Sequence, residues 1–203
     1  MRAVRICLQA TLVTLVLFGI VYPLAMTGAA NLLFPVEARG SLVRNAKGEV
    51  VGSRLIGQQF RQSGYFQGRP SAAGGGYDAM ASGGSNLGPT SAKLRQRVQA
   101  EIERLRSENP DATAAIPAEL VTTSASGLDP HLSPASALWQ APRVARARGV
   151  SVERVQALVS DLVEGRDLGF LGEPRVNVLA LNLALDRQFG ELRSNAKHPI
   201  GAP

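Results

Sequence analysis

Hydrolytic chemistry needs a nucleophile, a base and an orienting carboxylate within hydrogen-bond reach. Those residue types gather in one stretch, where Ser124 and Ser126 precede Asp129-Pro130-His131-Leu132-Ser133. The chain has two histidines, and the second, His198, lies in a polar C-terminal tail. The nucleophile-elbow pattern G-x-S-x-G is absent. The competing reading is a structural loop in which Asp129 and His131 bond to backbone. A second candidate is Ser82-Gly83-Gly84-Ser85. A phosphate loop needs Gly-Lys-Ser/Thr opening a helix after a strand, and no lysine follows Gly84. The single cysteine, Cys7, belongs to an apolar run, so no cysteine–histidine metal cluster forms. We therefore expect no catalytic residue and no metal site. Ser82, Gly83, Gly84 and Ser85 remain the candidate cofactor-binding residues. Tyr77, Asp78, Asn86, Asp129 and His131 are the candidate partner-binding residues.

All of these residues follow an apolar run that decides where they work. No charged residue lies between Arg5 and Glu37. A bilayer core of about 30 Å is crossed by roughly 20 apolar residues in a helix. Residues 6–34 suffice for an uncleaved transmembrane anchor. Arg2 and Arg5 precede it and hold residues 1–5 in the cytoplasm. The alternative is a cleaved signal peptide ending near Gly28 and Ala30, although the run exceeds the usual h-region of about 7–15 residues. Pro23 is expected to kink the helix. Thr11, Thr14, Gly19, Thr27 and Gly28 can face either a neighbouring helix or lipid. The formal net charge is +6, but basic residues are interspersed with acidic ones rather than with aromatics. No nucleic-acid partner is expected. A domain without disulfides must be held by packing.

The expected fold is one N-terminal transmembrane helix plus an α+β extracytoplasmic domain over residues 37–190, with a flexible tail at 191–203. Residues 41–56 read as a β-hairpin turning through Asn45-Ala46-Lys47-Gly48. Phe60, Tyr65 and Phe66 read as core. Residues 71–90 are rich in glycine, and no regular element fits them. A loop this long is expected to be ordered mainly by a partner. Thr90 or Ser91 caps a helix carrying Leu94, Val98, Ile102 and Leu105, which ends at Asn109-Pro110. Glu119–Thr123 reads as a short strand. Ser133-Pro134 starts a helix that Pro142 is expected to break before Gly149. Ser151 caps another helix, ending at Gly165. The run after Asn177 alternates leucines as a strand would, but leucine, alanine and the capping asparagine favour a buried helix, Val178–Phe189.

Five stretches in order resemble one family: Tyr65–Ala72, Tyr77–Thr90, Thr122–Ser133, Pro142–Gly149 and Arg175–Asp186. The chain is similar to KdpC, the C subunit of the bacterial Kdp potassium-transporting ATPase, over nearly its whole length. The resemblance implies an inner-membrane protein with one transmembrane helix and a periplasmic domain. It implies an accessory role with no cofactor of its own. ATP and potassium would be handled by separate ATP-hydrolysing and potassium-channel-like subunits. It further implies either a catalytic chaperone that raises ATP affinity or an assembly subunit. Ala81–Ser85 is also similar to the Leu-Ser-Gly-Gly-Gln signature of ABC transporters, differing at its first and last positions. From the residues alone, a membrane-anchored ligand-binding module using residues 71–90 and 122–133 is the alternative.

Overall fold

The computed structural model describes residues 1–45 and 48–192. The tail expected at 191–203 and His198 therefore lie wholly or almost wholly outside the described residues. Met1–Leu42 forms one compact unit, and the chain from Val43 onward forms the other.

The first unit is a helical run, Arg2–Leu33, of mean hydropathy 2.1 in its most apolar window. Among the described residues it is the one helix long and apolar enough to cross a membrane. It consists of α1 (Arg2–Val16), a π segment over Leu17–Val21, and α2 (Tyr22–Leu33). Pro23 would clash with the carbonyl four residues back, that of Gly19. A π segment precedes Pro23 instead, in which the Tyr22 N–H reaches five residues back to the Leu17 carbonyl and the Gly19 carbonyl is spared the clash. The Thr14 hydroxyl bonds the Ala10 and Thr11 carbonyls at 2.9 and 3.0 Å, so its polarity is satisfied within its own helix.

The expected hairpin follows, its first strand beginning at the last residue of the first unit. Strand β1 (Leu42–Arg44) pairs with β2 (Val50–Ser53), and Gly48 turns the chain at φ 83°. Residues 57–90 then contain no helix or strand. Helix α3 (Ala92–Glu108) starts where Ser91 Oγ accepts from the Leu94 N–H. Its Val98, Ile102 and Leu105 pack on the core, and Asn109 closes it by donating to the Leu105 carbonyl.

Helix α4 (Pro134–Arg148) is capped by Ser133, which accepts from the Ser136 N–H, and stops at Gly149 with φ 65°. Its neighbour α5 (Val152–Asp161) packs on both α4 and α6 (Val178–Phe189). Strands β3 (His131–Leu132) and β4 (Val176–Asn177) pair antiparallel and lead directly into α4 and α6. Asn177 caps α6 by accepting from the Ala180 N–H at 3.0 Å. Phe60, Tyr65 and Phe66 join Trp139, Val144, Val155, Val159, Leu181 and Leu185 in one core.

Three local expectations are corrected. Pro142 does not break α4, which runs continuously through it. The carbonyl it frees belongs to Leu138, an exposed residue, so water can meet it while the opposite face stays packed. Glu119 lies in a 3₁₀ turn, Ala118–Leu120, rather than a strand. Its carboxylate accepts from the Ser133 N–H and hydroxyl at 2.8 and 2.6 Å, which ties the turn to the start of α4. Helix α5 ends at Asp161, before Gly165, because Glu164 pairs in an antiparallel bridge with Arg175.

Candidate functional site

Residues 65–69 belong to no helix or strand, and two amide side chains from α4 and α6 hold Phe66 and Gln67 in place. Asn182, 1% exposed on α6, accepts from the Phe66 N–H at 2.8 Å and donates to the Phe66 carbonyl at 2.9 Å. Gln140, also 1% exposed on α4, makes the same pair of bonds with Gln67, at 3.0 Å each. Each amide substitutes for a neighbouring strand and satisfies a backbone donor and acceptor together. Arg143 braces Gln140 Oε1 at 2.8 Å and also donates to Asn109 Oδ1 and the Ser63 carbonyl. Burial pushes its guanidinium down to about 10. At the start of this segment the Tyr65 hydroxyl donates to Asp186, whose carboxylate pairs with Arg148 at 2.9 Å.

Beyond this segment, the Gly-rich loop 71–90 lies against residues 122–129. The Gly83 N–H and Ser82 hydroxyl both donate to the Ser126 carbonyl, at 2.8 and 3.0 Å. The Ser71 hydroxyl donates to the Gly127 carbonyl at 2.6 Å, and Thr123 donates to Ser85 at 3.4 Å. A Cβ on Gly84 would sit 2.9 Å from the Ala125 carbonyl, and one on Gly127 would lie 2.7 Å from the Ala73 nitrogen. Glycine at both positions lets the two loops meet backbone to backbone. The loop is thus held by the chain's own contacts, contrary to the expectation that a partner orders it.

The candidate residues divide by these contacts. Tyr77, at φ 58°, donates its hydroxyl to the Arg69 carbonyl at 2.5 Å and its N–H to Ser71 Oγ at 2.8 Å. Burial, helped by Asp129 and Glu101, pushes its hydroxyl up to about 12. Asp129 accepts from the His131 N–H at 3.0 Å and pairs with Arg69 at 3.3 Å. Its carboxyl is held below the ordinary value, first by the His131 side chain and then by backbone and Arg69. Asp78 and Asn86 are exposed, and the His131 side chain is 30% exposed. The Ser126 hydroxyl accepts from the Leu128 N–H, and His131 Nδ1 faces Asp129 at 3.6 Å. A cavity lined in part by Gln58, Gly68, Tyr77 and Asp129 measures about 10 Å³, room for about one water. The amide and hydroxyl donors of Ser82 and Gly83 already point at Ser126 rather than outward to a phosphate.

Sequence reasoning missed Gln140, Arg143 and Asn182, the residues that position the segment leading into this surface. Asn182 left a signal: it is a lone amide inside Val178–Leu185, an otherwise apolar run. Its partner Phe66 lies 116 positions away, which no local pattern reveals.

A family profile described as K+-transporting ATPase, c chain (KdpC), matches residues 4–187. A Potassium-transporting ATPase KdpC subunit from Myxococcus xanthus is 68% identical, covering 91% of this chain and 88% of the relative. The protein of the same name from Methylobacterium nodulans is 58% identical, over 86% of this chain and 92% of its own length. Another, from Caulobacter vibrioides, is 58% identical over 88% of this chain and 90% of the relative. The profile spans the apolar helix and the mixed domain alike, and the chain belongs to the KdpC family.

Proposed function

We propose that the chain is a non-catalytic accessory subunit of an ATP-driven, high-affinity potassium uptake complex of the bacterial inner membrane. The family match over residues 4–187 carries this reading. The helix Arg2–Leu33 anchors the chain, with Arg2 and Arg5 keeping the N-terminus in the cytoplasm. The domain then works in the periplasm, and ATP and potassium are handled by the ATP-hydrolysing and potassium-channel-like subunits. The chain brings no cofactor of its own. The sewn loops 71–90 and 122–132 serve as a preformed partner surface, with Asp78, Asn86 and His131 as its available polar contacts. Because the loops are already ordered, docking does not bear the full cost of ordering them.

A chaperone effect on ATP affinity must then be indirect. With the domain outside, ATP and the loops face opposite sides of the membrane. The effect reaches the nucleotide as a coupling free energy through the membrane helices. The engaged donors of Ser82 and Gly83 support this over direct nucleotide binding. Purification of the tagged full-length chain in mild detergent, followed by mass spectrometry, tests the reading. Large membrane subunits in fixed ratio are expected. A chain that always purifies alone, or that binds ATP saturably by itself, contradicts it.

A further inference from the structure

Residues 164–175 form a braced excursion whose tip is apolar. Glu164 and Arg175 exchange backbone hydrogen bonds at 2.8 and 3.0 Å, and Asp167 and Leu171 exchange two more at 2.9 Å. Arg166 holds both carboxylate oxygens of Glu173, at 3.0 and 2.8 Å. Arg175 bonds Glu164 at 3.2 Å and Asp167 at 3.4 Å. At the tip, Leu168 and Gly169 have φ of 53° and 83°, and the Phe170 N–H donates to the Asp167 carbonyl. Positive φ at both central positions makes a type I′ turn, which favours Asn, Asp or Gly at the first. A leucine there works against the turn.

Tyr77 also has positive φ, but hydrogen bonds within the chain hold it there. Leu168 gains no comparable burial. It is 83% exposed, with Phe170 at 70% and Leu171 at 48% beside it. Three large apolar side chains are thus presented to solvent on a rigid turn that leucine does not suit. A costly residue that the chain's own packing does not compensate points to a contact outside the chain.

We propose that Leu168, Phe170 and Leu171 form a preorganised hydrophobic knob that seats in an apolar pocket on another subunit of the potassium-transporting assembly. The inference rests on the accessory-subunit reading above and names the contact it uses. The charges of the excursion, Glu164, Asp167, Glu173, Arg166 and Arg175, are paired with one another, and Arg54 adds a 3.4 Å contact to Glu164. No unpaired cation is left on the excursion to hold anionic headgroups, so the occupant is protein rather than a lipid surface. A second copy meeting tip to tip would set one convex turn against another, which leaves no pocket to enclose Leu168, Phe170 and Leu171. A concave pocket with an apolar floor and a polar, uncharged rim encloses all three side chains, as anchor residues at interfaces require.

The test uses the full-length chain in its membrane. A benzophenone maleimide is attached through Gly165→Cys, on the excursion but outside its apolar tip, in a Cys7→Ser background and photolysed before detergent extraction. In parallel, Leu168→Asn and Phe170→Ser are compared with the unmodified chain by co-purification and thermal melting. The expected adduct joins the chain to a different membrane subunit. Leu168→Asn, which suits the turn better, should keep or raise the melting temperature while lowering recovered complex roughly tenfold. Phe170→Ser should lower recovery without shifting the melt. An adduct only to lipid or to a second copy overturns the proposal, as does full recovery of complex with both variants. Either result leaves the accessory-subunit reading intact if the unmodified chain still brings its partners down. Failure of the unmodified chain to recover any other subunit overturns both.

Discussion

Asp186 holds a guanidinium and a phenol at one buried point. The Arg148 side chain is 2% exposed and that of Asp186 is 9% exposed. The Arg148 guanidinium also lies 4.9 Å from the Tyr65 ring centroid and donates to the Gly64 carbonyl at 2.7 Å. Removing one partner of such a pair leaves a buried charge uncompensated, which costs about 3–5 kcal/mol. Asp186→Ala should therefore lower the unfolding free energy by about that amount in chemical denaturation. A loss typical of a surface ion pair, under about 1 kcal/mol, would contradict it.

Tyr65 adds a pH dependence. Burial, then Asp186, pushes its hydroxyl from 10.0 up to about 12. The folded state thus favours the neutral phenol. The contribution is complete below pH 10.0 and is lost as the pH rises through about 12. Arg143, lowered by burial to about 10, acts in the opposite sense over the same range. The readout is therefore the difference in stability between the native chain and Tyr65→Phe. That difference should shrink across the window, and a flat difference would contradict the assignment.

At the scale of elements, the two amide clips decide how segment 65–69 lies on α4 and α6. Asn182→Leu keeps the branched outline of the side chain but strips the Phe66 N–H and carbonyl of partners. An unsatisfied buried group costs about 1–3 kcal/mol, so the variant should lose roughly 2 kcal/mol or more. Hydrogen exchange should show the Phe66 and Gln67 amides losing protection while α5 keeps its own. Unchanged protection at Phe66 would mean that the Asn182 amide does not hold the segment.

Elements with local signals were legible. Ser91, Ser133 and Asn177 cap their helices through their own side chains, and Gly48 and Gly149 take left-handed φ. The alternating leucines of α6 looked like a strand because the helix is buried nearly all round, which erases a 3.6-residue signal. Pro142 misled because tertiary packing of one helix face outweighed the lost backbone bond. Glu119 misled because its role is set by Ser133, beyond any local window. The residues of the loop surface could be picked out as polar and glycine-rich. Their pairing across 71–90 and 122–129 could not, since it depends on close backbone approach at Gly84 and Gly127.

For the whole molecule, an apolar helical run and a self-packed domain share one chain. The domain closes its own core without a disulfide, and its only cysteine, Cys7, lies in the helix. Such a chain needs no partner to build its core, so what partners receive is a set of rigid surfaces. The accessory role proposed above makes this chain necessary for ATP-driven potassium uptake while leaving the transport chemistry to other subunits. The most direct measurement is potassium uptake at limiting external potassium in a strain from which only this chain is deleted. Uptake should be lost, and it should return when the full-length chain is supplied in trans. Normal uptake in the deletion strain would contradict it.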